Sequence, residues 1–199
     1  MNQRSKRLLL DLLLASVLAI LLGLGQEYLL ADLISPFPLA LSVGPLIWLS
    51  LRYGPANGII AAFITGLALI AILPSSLTKF EQVVYYILPL LTAGLAGLFA
   101  RNTQRTLNNL RYASTYLNIY TASFLVVLSN LLLNHWLLPS LLAEPEIYSV
   151  TSWHFWLGIF LSALLWGSVL SCLAKLTPSL MIPKRSRFLS RKETTSLLN

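Results

Sequence analysis

The sequence predicts an all-α membrane protein: a bundle of six transmembrane helices with both termini in the cytoplasm. Its 199 residues are 56% hydrophobic and only 11% charged, which is too apolar for a water-soluble domain of this size. The apolar residues gather in six runs, each close to the roughly 17 to 25 residues that cross a hydrocarbon core about 30 Å thick. The gaps between these runs alternate between ones that contain acidic residues and ones whose charged residues are all basic. Together these observations predict a multi-pass protein in lipid.

The alternation of charge predicts the orientation of the bundle. Thirteen of the fourteen Lys and Arg residues lie at the termini or in the second and fourth gaps between apolar runs, and Lys79 is the exception. Because short positively charged loops are retained in the cytoplasm, the basic gaps are predicted inside and three loops outside. Most acidic residues lie in those three outer gaps: Glu27, Asp32, Glu81, Glu144 and Glu146.

Each apolar segment is predicted to form one helix. The first follows a basic start that could be read as a secretory signal peptide, but it is longer than a usual signal core and has no convincing small-residue cleavage site. The second is short and contains Pro38 and Pro45, so we expect a broken or tilted helix whose freed carbonyls need partners. The third ends cleanly at Pro74 by turn chemistry. The segments are Leu8–Leu24, Phe37–Leu51, Asn57–Leu73, Val83–Ala100, Tyr116–Leu138 and Trp153–Ala174.

The chain is predicted to divide into two parts. Residues 1–177 form the six-helix transmembrane domain, and residues 178–199, with Pro183 and clustered basic side chains, form a flexible cytoplasmic tail. Anionic lipid headgroups explain these basic residues. Nucleic acid is not an expected partner, because the basic residues flank apolar runs and form no separate domain with interleaved aromatic residues.

Motifs for enzymatic chemistry are missing from the sequence. It contains no Gly-x-x-x-x-Gly-Lys-Ser/Thr phosphate loop, no His-Glu-x-x-His zinc site and no Gly-x-Ser-x-Gly nucleophile elbow. The single cysteine, Cys172, lies within the sixth apolar segment and offers neither a disulfide nor a metal cluster. We therefore expect a protein that is not an enzyme and needs no cofactor or metal.

Polar and aromatic residues gather toward the predicted outer ends of the last three helices. Asn130 and Asn134 are spaced to share one helical face, and unpaired amides are costly in lipid. They either line a polar pocket or form hydrogen bonds between helices, while the tryptophans also fit an aromatic belt at the membrane interface. A pocket of this composition suits a flat heterocyclic ligand, cationic or neutral. The candidate binding residues are Tyr85, Tyr86, Asn130, Asn134, His135, Trp136 and Trp153.

Small residues recur at every fourth position on two helices. The first helix has such a ridge at Ala15, Ala19 and Gly23, and the sixth has one that includes Ala163 and Gly167. Ridges of this kind let helix backbones approach closely. Each ridge packs either inside the bundle or against a partner protein.

Three stretches resemble the S components, the substrate-binding subunits, of energy-coupling factor vitamin transporters, and most of all the thiamine-specific branch. They are Ala-Ser-Val-Leu-Ala at 15–19, Ser-Val-Gly-Pro-Leu-Ile-Trp-Leu-Ser-Leu-Arg-Tyr-Gly at 42–54, and Leu-Ala-Gly-Leu-Phe-Ala-Arg at 95–101. The resemblance implies a prokaryotic plasma-membrane protein that binds its vitamin near the outer face. It also implies that Ala15 and Ala19 contact a transmembrane coupling subunit, and that two separate ATPase subunits hydrolyse ATP.

The resemblance also identifies a departure in the binding site. Thiamine-specific members carry an acidic residue followed by tyrosine at the start of the fourth helix, where this chain has Tyr85 and Tyr86. His135 stands where a binding histidine is expected. With the acid absent, we expect thiamine or a related heterocyclic vitamin or precursor as ligand, with Glu81, Glu144 or Glu146 as replacement acids. A structural membrane scaffold and an S component for another vitamin are the alternatives.

Overall fold

The structure, a computed structural model, describes residues 3–29, 37–74, 77–142, 149–183, 186 and 188–189. These residues form helices and connecting turns, with no strand among them. In chain order the elements are α1 (Gln3–Tyr28), α2 (Val43–Tyr53), α3 (Pro55–Ile72), α4 (Lys79–Leu91), a 3₁₀ helix (Thr92–Phe99), α5 (Ala100–Asn108), α6 (Tyr112–Leu132), a π-helical turn (Leu133–Leu137), α7 (Leu138–Leu142), α8 (Trp153–Leu176) and α9 (Pro178–Met181).

Five helices of the described chain are long and apolar enough to cross a membrane. Two of them are composite: α4 continues through the 3₁₀ helix into α5, and α6 continues through the π-helical turn into α7. Large apolar side chains cover their outer surfaces, as at Leu10 and Phe160, which are 63% and 58% exposed. An apolar exterior of this kind fits lipid, so the chain is a multi-pass membrane protein. The five helices are Ser5–Tyr28, Pro55–Ile72, Lys79–Asn108, Tyr112–Leu142 and Trp153–Leu176.

The second predicted segment is not a full-length spanning helix. Its helical part, α2, has 11 residues, or about 16 Å, which is well short of the hydrocarbon core. Ten of the 11 residues are buried, and α2 packs against α1, α3, the 3₁₀ helix, α5 and α6. The prolines explain the short helix, since Pro45 fits its first turn and Pro38 lies in the non-helical stretch before it.

Side chains of neighbouring helices satisfy the non-helical backbone before α2. The Ala40 N–H donates to Ser162 Oγ at 3.1 Å, and Trp166 Nε1 donates to the Ala40 carbonyl at 3.0 Å. The Leu41 N–H donates to Gln26 Oε1 at 3.2 Å. Irregular backbone at this depth is tolerated only with such partners, so the expectation for the broken second segment is met by residues of α1 and α8.

Hydrogen bonds and an ion pair show that α2 runs back along α1. Leu41 contacts Gln26 near one end of α1, whereas Arg52 Nε lies 3.0 Å from Asp11 Oδ2 near the other. The 15 residues of α1 between these contacts rise about 22 Å. Residues 41–52 therefore run antiparallel to this part of α1. A count of exactly six transmembrane helices, and the side of the membrane on which each end lies, stay predictions.

The two ends of the described chain meet at the Arg52 end of α2. Arg52 Nη1 donates to the Ser179 carbonyl at 2.6 Å, and Trp48 Nε1 donates to the Leu180 carbonyl at 3.0 Å. Tyr53 donates its hydroxyl hydrogen to Asp11 Oδ2 at 2.6 Å. The start of α1 and the segment after α8 consequently lie at the same end of the bundle.

The described residues after 177 pack against the bundle, whereas the division into a six-helix domain and a basic cytoplasmic tail stays a prediction. Met181, Ile182 and Leu189 belong to the hydrophobic core. Ser186 Oγ donates to Gln104 Oε1 at 2.5 Å, and the Gln104 amide donates at 2.9 and 2.8 Å to two carbonyls at the end of α2. Burial of the apolar side chains, together with the hydrogen bonds that Arg52 and Trp48 donate to carbonyls of the segment, holds it against the bundle. Residues 190–199 lie outside the described chain.

The small-residue ridge of α1 faces inward. Ala15 and Ala19 are 0% exposed, and Ser16 Oγ donates to the Ala61 carbonyl of α3 at 3.5 Å. The outer face carries large side chains, such as Leu14, which is 50% exposed. In the chain by itself, the small side chains of Ala15 and Ala19 allow α1 to approach its own neighbours closely. The contact of these two residues with a coupling subunit, which the resemblance implies, stays a prediction.

The ridge of α8 also packs internally. A Cβ added at Gly167 would lie 2.3 Å from the ring of Tyr120 on α6, so a larger side chain would push the two helices apart. Ala163 is 5% exposed. The bundle thus uses both ridges for its own close helix contacts.

Candidate functional site

A cavity of about 430 Å³ opens at the end of the bundle opposite the Asp11–Arg52 pair. It lies among the last turns of α1 and α3, the start of α2, α4 and the π-helical turn with the start of α7. Leu69, Leu73 and Leu90 contribute apolar wall, and Ser42 contributes a hydroxyl. The volume falls within the range of about 300 to 1,000 Å³ that is usual for small-molecule sites.

Four of the seven predicted binding residues line this cavity. They are Tyr85 and Tyr86 of α4 and Asn134 and His135 of the π-helical turn. Two phenol rings, an amide and an imidazole therefore surround one space. These groups can stack on a flat ring and form hydrogen bonds with its edge.

Local sequence signals explain how α4 presents its two tyrosines. Thr78 and Glu81 form a capping box: the Glu81 N–H donates to Thr78 Oγ1 at 3.4 Å, and the Thr78 N–H donates to Glu81 Oε2 at 2.8 Å. The box fixes where α4 begins. Tyr85 and Tyr86 follow in the next turn and reach the cavity.

The π-helical turn sets the position of His135. Its ring lies 6.3 Å from the ring of Phe155 at an interplanar angle of 84°, the edge-to-face arrangement that aromatic pairs favour. Phe155 is fully buried in α8, so it provides a fixed surface behind the imidazole. Single π-helical turns within α-helices occur frequently at functional sites.

The other three predicted residues do not line the cavity. Asn130 is 3% exposed and buried below it, and no hydrogen-bond partner of its Nδ2 is found among the described residues. Because the π-helical turn begins at Leu133, the expected face shared by Asn130 and Asn134 is broken between them. Trp136 and Trp153 are 49% and 62% exposed, which fits the aromatic-belt alternative.

Sequence reasoning missed the contribution of α1. Gln26 and Glu27 line the cavity, and Gln26 also accepts the hydrogen bond from the Leu41 N–H. Both residues belong to the first outer gap, on the same predicted membrane face as Tyr85. That shared face was the available signal, but nothing in the sequence showed that the end of α1 and the start of α4 line the same cavity.

The acidic groups near the cavity differ from those expected. The side chain of Glu81 is engaged in the capping box of α4, and Glu144 and Glu146 lie outside the described residues. Glu27 is thus the carboxylate that lines the cavity in the described chain, and no Lys or Arg is found among the described lining residues. The described walls are apolar, aromatic and polar, with one negative charge.

Comparison with known proteins identifies the family. The family described as thiamine transporter protein (Thia_YuaJ) matches residues 8–137, well over half of the chain. This chain belongs to that family. The match includes all three stretches that carry the resemblance to the thiamine-specific branch, and it confirms that prediction.

A solved structure shares the fold of this thiamine transporter family member. ThiT from Listeria monocytogenes superposes with a TM-score of 0.72 over 91% of this chain and 100% of its own, at 16% sequence identity. Among the curated proteins, none matches this sequence. The fold therefore persists although few residue identities do.

Proposed function

We propose that this chain is the membrane-embedded substrate-binding subunit of an energy-coupling factor transporter that takes up thiamine. The observation that carries the proposal is the match of residues 8–137 to the thiamine transporter protein family. The cavity at one end of the bundle supports it, because its volume suits a small molecule.

The chemistry of the cavity supports a ligand of the thiamine type. Thiamine joins an aminopyrimidine to a thiazolium ring, so it presents two flat faces, hydrogen-bonding edges and one permanent positive charge. Tyr85, Tyr86 and His135 provide aromatic surfaces, which attract flat and cationic rings. Asn134 provides an amide that can both donate to and accept from the pyrimidine edge.

The proposed subunit binds its substrate but does not drive its transport. The sequence contains no phosphate loop for ATP hydrolysis. The complete transporter also contains a transmembrane coupling subunit and two ATPase subunits, as in the transporters that the sequence resembles.

Thermal unfolding of the purified chain tests the proposal. A ligand that binds only the folded state increases the free energy of unfolding, by about 2.7 kcal/mol at a ligand concentration 100 times the Kd. The melting temperature therefore rises with ligand concentration. We expect thiamine to raise the melting temperature in a saturable way, and a vitamin without a pyrimidine or thiazolium ring to leave it unchanged. A folded chain that thiamine does not stabilise would contradict the proposal and favour a scaffold.

A further inference from the structure

We propose that Glu27, at the end of α1, supplies the negative charge that selects a cationic ligand, in place of an acid on α4. The inference rests on the proposed function, because it concerns the same cavity. It assigns a specificity-determining role to a residue outside the sequence elements that carry the family resemblance. It also sets an orientation for the ligand, with the positive ring toward α1.

The position of Glu27 carries the first part of the inference. It is the last residue but one of α1, and with Gln26 it forms part of the cavity wall that also includes Tyr85 and Tyr86. The hydrogen bond from the Leu41 N–H to Gln26 Oε1 connects this end of α1 to the segment just before α2. The carboxylate is therefore attached to a helix end that is held in place beside the cavity.

The distribution of charge carries the second part. Of the other described acidic side chains, Asp11 is paired with Arg52 at the far end of the bundle, and Glu81 is engaged in its capping box. No Lys or Arg of the described chain lines the cavity, and the described salt bridge does not involve Glu27. The described walls consequently present an uncompensated carboxylate to whatever occupies the space.

An exposed carboxylate is well suited to this task. Glu27 lines the cavity and is exposed, so its carboxyl group does not carry the desolvation cost of a buried ion. Beside an apolar wall, its attraction for a nearby cation exceeds the value in bulk water. The thiazolium ring carries such a charge, and the aminopyrimidine is free to contact Asn134 and His135, which line the same cavity.

A charge-neutralising variant tests the inference. Glu27→Gln keeps the shape of the side chain and removes its charge. Binding is measured by titration calorimetry with two probes: thiamine, and its neutral isostere in which thiophene replaces thiazolium. We expect thiamine affinity to fall about tenfold, which corresponds to about 1.4 kcal/mol. The affinity for the neutral isostere should change by less than about twofold, because an uncharged ring gains little from the carboxylate that the substitution removes.

Glu81→Gln is the matched control. It makes the same charge change at the same end of the bundle, and the glutamine oxygen can still accept from the Thr78 N–H. We expect it to preserve the ratio of the two affinities. A second variant adds Tyr85→Glu to Glu27→Gln and should restore the preference for thiamine, because it returns a carboxylate to the cavity.

The outcomes separate the inference from the proposed function. If the unmodified chain binds thiamine and Glu27→Gln keeps the same preference for it over the isostere, Glu27 is not the selecting charge. An equal loss for both probes would assign Glu27 a structural role and overturn the inference as well. If the folded, unmodified chain does not bind thiamine, the proposed function and the inference both fail.

Discussion

Replacing His135 by alanine gives the sharpest test of where the ligand binds. His135 lines the cavity and stands edge-to-face with the buried ring of Phe155. The change removes an aromatic wall and a hydrogen-bonding group while leaving the backbone of the π-helical turn in place. Loss of such a group costs about 1 to 3 kcal/mol, so the Kd for thiamine should rise about fivefold to 150-fold.

The second histidine of the chain offers a matched control. His154 stacks on Trp153 with ring centroids 3.9 Å apart, and neither residue lines the cavity. His154→Ala should therefore change the Kd by less than about twofold, within the range of surface substitutions. Titration calorimetry measures both variants, and melting temperatures check that each is folded. Equal losses in the two variants, or unchanged affinity in His135→Ala, would mean that the ligand does not bind in this cavity.

Two further predictions concern orientation and helix packing. The labelling experiment uses a chain whose Cys172 is replaced by serine. Trp153→Cys should react with an impermeant thiol reagent from outside intact cells and Asn109→Cys should not, because the basic loops are predicted inside. The reverse labelling would mean that the predicted topology is inverted. Ala15→Trp should lower the melting temperature of the isolated chain, since overpacking a buried site costs about 1 to 3 kcal/mol or more, whereas Leu14→Trp on the exposed face should be tolerated. An Ala15→Trp variant with unchanged stability would contradict the buried position of this ridge.

Sequence patterns that depend on a single segment predicted the secondary structure of that segment correctly. Long apolar runs predicted the spanning helices, because such a run in lipid satisfies its backbone only as a helix. The prolines at 38 and 45 predicted that the second segment would be irregular, and it contains only an 11-residue helix. The family was also readable from the sequence, because its motifs are local stretches of the chain.

Patterns that depend on a neighbour were less informative. A small-residue ridge favours close approach but does not identify the helix that approaches; the structure shows Ala15 and Ala19 buried on α1, which packs against α2 and α3. Likewise, Asn130 and Asn134 share a face only if the helix stays regular, and the π-helical turn interrupts it. Both pairs have the four-residue spacing of one helical face, but the surrounding structure decides what that face contacts and whether the helix stays regular.

The sequence by itself determined that this protein is a helical membrane protein of the thiamine transporter family, because hydrophobic length, charge alternation and local motifs need no knowledge of the packed structure. Only the tertiary structure decided that α2 lies at the centre of the bundle, that the segment after α8 packs on it, and that Glu27 joins Tyr85 and His135 around one cavity. The physical reason is that these features depend on contacts between helices distant in the chain, and contacts of that kind leave no periodic signal in any single segment.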